Sequence, residues 1–196
     1  MKEQRTQWSP ELFKDFHNGA HDACGIVASI EKNKIPAREN IDRCIEALIT
    51  MDHRAGFING EGDGAGIHID IPRAVWSEKL EAASIDSSLA LSPRFTIGHF
   101  FIKGIPVNQG TQEIVDKLEK QGFQVLLTDL DSTRPDTLGP IAAQENPHFL
   151  QAALLAPENQ EKTKTYKQLF ELLASIEENS AIHVASLSRD HAVYKV

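Results

Sequence analysis

Between His21 and Asp70 the chain sets a cysteine at the head of an apolar run, follows it with a helix-patterned stretch, and returns through a glycine-dense turn to an alternating segment. That order ties a thiol to a strand end and joins two strands through one helix. Cys24 is followed by Gly25 and by Ile26-Val27-Ala28-Ser29-Ile30, a short, partly β-branched run that predicts a buried strand. Glu31 to Lys34 is a polar turn. Pro36 then opens a predicted helix in which Ile41, Cys44, Ile45, Leu48 and Met51 recur at helical spacing, which places Cys44 in the core. The glycines from Gly56 to Gly66 predict a loop without regular structure. From Ala65 to Ile71 the residues Ile67, Ile69 and Ile71 alternate with His68 and Asp70, as in a half-buried strand, expected to pair with the one that follows Cys24.

The remainder supplies scaffold. Pro72 ends the second strand, a short helix is expected over Ala74 to Ala83, and Phe95 to Ile102 reads as a strand. Thr111 to Gln121 carries Ile114, Val115 and Leu118 on one face, with Gly122 in the C-capping position before a strand from Phe123 to Leu127. Asp129 to Pro147, with Pro135, Gly139, Pro140 and Pro147, predicts a long loop, and His148 to Ala156 is readable as strand or helix. Tyr166, Leu169, Phe170, Leu173 and Ile176 define an amphipathic helix, and Ala181 to Ser188 and Ala192 to Val196 are strands joined at Arg189-Asp190. Antiparallel strands flanked by helices make an α+β protein.

At 196 residues and 41% hydrophobic content the chain can bury one sizeable core, so a single domain is expected. A formal charge of −8 spread along the chain gives a nucleic-acid partner no electrostatic support. Two cysteines, Cys24 and Cys44, are too few for a disulfide framework or an iron-sulfur cluster, which favours a reducing cytoplasm. The N-terminal segment lacks the apolar core of a signal peptide, and no run is long enough to span a membrane.

Two motifs invite other chemistries. Gly62-Asp63-Gly64-Ala65-Gly66 looks like a phosphate loop, but such loops open a helix whose N-terminus holds the anion, and this one opens a strand. The glycines instead suit tight packing, with Asp63 bonding loop amides. His17, His21, Asp22 and Cys24 lie close in sequence without a recognised zinc-ligand spacing, so no metal is expected. His68, His99, His183 and His191 fall singly on strands or turns, where histidines are usually satisfied structural residues.

The Cys24-Gly25 opening, the following helix, His53-Arg54 and the Gly-Asp-Gly-Ala-Gly turn together resemble the class II glutamine amidotransferases, and among them the N-terminal domain of the glutamate synthase large chain. The ending SLSRDHAVYKV is similar to that family's closing hairpin. The resemblance implies the four-layer αββα sandwich of N-terminal nucleophile hydrolases. It implies a leader, residues 1–23, whose removal makes Cys24 the N-terminus, so that the α-amine serves the thiol as its base. Cys24 is then the nucleophile toward glutamine. Gly25, His53, Arg54 and Asp63 are the supporting positions, with Arg54 stabilising a thiolate or a substrate carboxylate. Read alone, Arg54 also admits the plainer reading of a surface residue paired with Asp52 or Glu46. The order here is His53-Arg54-Ala55-Gly56, where the family usually reads His-Arg-Gly-Ala.

The family's glutamine-binding Arg motif and oxyanion Asn-Gly have no counterpart within residues 24–196, so these residues are expected to be an incomplete portion of the domain and inactive alone. The remainder, or a companion chain, is an implied partner, and the uncovered sheet predicts a homodimer. In a full glutamate synthase, FMN and an iron-sulfur cluster would belong to the remainder, with no cofactor in this chain. A stand-alone, non-catalytic domain that binds an amino acid or a partner chain is the alternative.

Overall fold

A computed structural model describes residues 25–33, 35–51, 54, 56–58, 61–62 and 64–195. The chain divides into two compact units, Met1–Asp63 and Gly64–Val196. The larger is built on an antiparallel four-stranded sheet of order β5-β6-β4-β7, formed by β4 (Phe95–Ile102), β5 (Gln124–Leu130), β6 (His148–Leu155) and β7 (Ile182–Ser188). Alternation along these strands sends side chains to opposite faces, and both faces are covered. Phe100, Ile102, Leu150, Ala152 and Leu154 meet Ile114 and Leu118 of α3 (Val107–Lys120) and Leu169, Leu172 and Ile176 of α5 (Lys162–Glu177).

On the other face Phe95, Ile97, Ala153 and Leu155 pack with Trp76 and Leu80 of α2 (Arg73–Ala82), Ala90 of a 3-10 turn, Ile71 and Ala192. Ala192 belongs to β8 (His191–Lys195), which pairs antiparallel with β3 (Gly66–Asp70) and lays a two-stranded ladder over the sheet. The layers are therefore helix, sheet and ladder, the α+β arrangement expected. β3 does alternate, with Ile67 and Ile69 inward, but its partner is β8 and not the segment after Cys24.

The β7–β8 turn is fastened by its own polar side chains. Arg189 donates to Thr165 Oγ1 at 3.1 Å and to the Pro93 carbonyl, and Asp190 accepts from Lys162 Nζ at 2.7 Å and from the Tyr166 hydroxyl. Its carboxylate sits below the ordinary range because these two donors outweigh its partial burial.

In the smaller unit, α1 (Arg38–Thr50) lies where helical spacing places it, yet none of its residues is buried. Cys44 is half-buried, not core. Residues 25–30 form no strand: no backbone ladder pairs with them, and Ile26 and Ile30 are each 87% exposed. The glycine-rich stretch, expected to be irregular, holds a small ladder of β1 (Phe57–Ile58) and β2 (Glu61–Gly62). The expected loop between β5 and β6 contains a 3-10 turn and a short helix, α4 (Pro140–Glu145), because Pro140 occupies the first helical turn, where proline's missing N–H costs nothing. Among the described residues no helix is long and apolar enough to cross a membrane.

Candidate active site

The smaller unit is organised around Met51. This residue closes α1 with its N–H directed to the Leu48 carbonyl at 3.0 Å, and its own carbonyl accepts from the Arg54 N–H at 2.8 Å. Its side chain lies against Gly25, where an added Cβ would stand 3.2 Å from Met51 Cε. Gly25 is covalently next to Cys24, so the residue after the cysteine and the turn that carries Arg54 are held on one residue, the first by its side chain and the second by its backbone carbonyl. At the other end of α1, Asn40 Nδ2 donates to the Ser29 carbonyl at 3.3 Å, and the Ser29 hydroxyl bonds the Asn40 amide oxygen. Residues 25–29 therefore run antiparallel along α1, with Gly25 at the helix C-terminal end and Ser29 near its first turn.

Of the residues singled out in the sequence, Gly25 and Arg54 are thus brought to a common support, and Arg54 is exposed. Cys24, His53 and Asp63 lie outside the described residues, as do His17, His21 and Asp22 of the zinc alternative. The glycine run leads into β3, a strand, so it lacks the helix N-terminus a phosphate loop needs. Among the described residues no three His, Cys, Asp or Glu side chains are grouped to hold a metal ion.

Periodicity gave no hint of Met51's joining role. It also did not single out a polar network in the larger unit, between α2 and the central sheet. Gln151 on β6 accepts from Lys79 Nζ at 2.7 Å and donates to Asp131 Oδ2 at 3.0 Å, and Lys79 is also 2.7 Å from Asp129 Oδ2. His99 stands opposite Gln151 in the β4–β6 register and is fully buried. His99, the one titratable residue in the run FTIGHFFI, is the one sequence sign of it.

The family model described as glutamine amidotransferases class-II matches residues 24–196, beginning at Cys24. The chain is similar to the ferredoxin-dependent glutamate synthase of Pyropia yezoensis, with 25% identity over 89% of this chain and 12% of that protein. It is 28% identical to the ferredoxin-dependent glutamate synthase 2 of Synechocystis sp. over 89% of this chain and 11% of that protein. The NADH glutamate synthase of Saccharomyces cerevisiae is 28% identical, with 89% of this chain and 9% of that protein covered. The chain therefore spans about a tenth of the length of these relatives. With the mixed helix and antiparallel-sheet architecture and a matched region that opens on the cysteine, the chain belongs to the class II glutamine amidotransferases.

Proposed function

We propose that the chain supplies the glutaminase chemistry of an amidotransferase of glutamate synthase type, with Cys24 as the nucleophile. Removal of residues 1–23 frees the α-amine of Cys24. That amine takes the thiol proton as sulfur attacks the side-chain amide carbonyl of glutamine, and returns a proton to the departing nitrogen. Ammonia leaves and a γ-glutamyl thioester remains, which water hydrolyses to glutamate and the free thiol. Arg54 supports the thiolate or the substrate carboxylate, while Gly25, His53 and Asp63 shape the surrounding backbone.

The observation that carries this reading is the shared support at Met51, which ties the residue after Cys24 to the turn that presents Arg54. An oxyanion donor is worth about 10²–10³ in rate, and the chain's two Asn-Gly pairs, Asn18-Gly19 and Asn59-Gly60, do not stand in the later position that the family resemblance gives its oxyanion pair and its Arg motif. The 196 residues alone therefore turn over no glutamine above background, and activity requires the rest of the amidotransferase or a companion chain. Ile26, Ile30, Ile35 and Ile49, all exposed in the smaller unit, support an assembly that covers them, including a homodimer. FMN and an iron-sulfur cluster, where present, belong to that remainder, and a reducing cytoplasm keeps the thiol free. The ammonia serves nitrogen assimilation.

Ammonia release from glutamine by the native assembly, compared with its Cys24→Ala variant, tests the reading. Release is expected to vanish in the variant, and undiminished release would overturn the assignment.

A further inference from the structure

His99 lies between the central sheet and the β3–β8 ladder of the larger unit. Its ring is fully buried and flanked by Phe149 at 5.3 Å and Tyr194 at 4.6 Å between centroids. Nδ1 is 2.8 Å from the Val193 carbonyl of β8. A carbonyl only accepts, so Nδ1 carries the hydrogen and Nε2 keeps the lone pair. Nε2 is itself buried and has no hydrogen-bond partner among the described residues. This bond joins the central sheet to the ladder at a place where the β4–β7 register slips, between His99 and Phe100.

The charged and titratable groups around the ring oppose one another. α2 contributes Lys79, β5 Asp129, the residue after its end Asp131, and β8 Tyr194, whose hydroxyl burial and Asp131 hold above its ordinary value. β6 faces the ring with the neutral Gln151 and β7 with Ser186, while His183 of β7 stacks on Phe101, two residues along β4, and bonds Glu177. On the ladder's exposed face His68 meets His191 edge-on, and His191 stands 3.6 Å from Asp70. Burial is the largest influence on His99 and holds its imidazole below the ordinary 6.5, with Lys79 acting in the same sense, against the Val193 bond and Asp131.

We propose that His99 is an acid-sensitive latch: while neutral it fastens β8, and β3 with it, to the central sheet, and on gaining a second proton it lets the ladder lift locally. The second proton would fall on Nε2, where no acceptor waits, and would put a charge between two aromatic rings. Hydration of that charge requires Tyr194, and the strand that carries it, to move away. A histidine whose folded pKa is depressed contributes stability that is intact above the unfolded value of 6.5 and declines as pH falls below it, until the folded value is reached. One proton taken up on opening makes the opening constant rise by at most about tenfold per pH unit in that window.

Hydrogen exchange of the whole chain between pH 7.5 and pH 5, corrected for intrinsic rates, tests this by comparing wild type with His99→Gln, whose neutral amide can still donate to Val193. In wild type the β3 and β8 amides are expected to open progressively more below about pH 6.5, approaching tenfold per unit. The β4–β6 amides should keep their protection, and in His99→Gln the ladder response should be flat. A flat ladder response in wild type would overturn the latch. So would an equal rise in His99→Gln, which would assign it to His68 and His191. Should the variant fail to fold, the NMR titration of the His99 ring in wild type decides: a midpoint below 6.5 that tracks ladder exchange supports the latch, and any other midpoint, or a ladder that does not follow it, overturns it.

Discussion

Met51 meets Gly25 with its methyl end and the Arg54 turn with its carbonyl, so the space at Gly25 matters more than its place in a loop suggests. A valine there would drive its branched carbons into a contact already at 3.2 Å for a bare Cβ. Displacing the segment that carries the nucleophile by as little as about 1 Å is enough to lower turnover up to about 10²-fold. Gly25→Val is therefore expected to reduce kcat/KM for glutamine at least about tenfold in the native assembly. Met51→Ala in the same background should recover part of the loss, and a double variant no better than the single one would contradict the contact. The Gly25–Met51 contact was not legible in sequence, because it joins residues that periodicity relates only as strand and helix. Cys24 and Arg54 were legible as residue types in a family pattern. His99 was visible only as one polar residue in an apolar strand, and its orphaned Nε2 emerges only when β8 crosses above it.

Helices and strands were legible where one period ran without interruption: β4, α5 and the β7–β8 hairpin fall within a few residues of their expected bounds, whereas His148 to Ala156, readable as strand or helix, became the strand β6. The helix expected over Thr111 to Gln121 begins earlier, at Val107, and takes in Gly110, where it approaches β4 so closely that a Cβ would stand 2.7 Å from Ile102 Cγ2. Ile102 is fully buried and stiff at its branched carbon. Gly110→Ala would gain about 1 kcal/mol of helix propensity and lose about 1–3 kcal/mol to overpacking. A net destabilisation is expected in urea unfolding, and a more stable variant would contradict the close approach. The segment after Cys24 was misread: its composition suits a strand, but strand residues need a partner ladder, and β3 takes β8 instead.

At the scale of the whole molecule, the two units differ in how they hold together. The larger has covered both faces of its sheet, whereas the smaller leaves α1 without a buried residue and four isoleucines exposed. Apolar surface of that kind drives association, so the isolated chain is expected to be dimeric by light scattering at micromolar concentration. A monodisperse monomer would count against the covering surface. The central claim, that Cys24 acts through its own freed amine, is tested most directly by sequencing the N-terminus of the native, catalytically active protein. Residues 1–23 should be absent and the first residue should be Cys24. A protein that releases ammonia from glutamine at full rate with Met1 to Ala23 still attached would contradict the account.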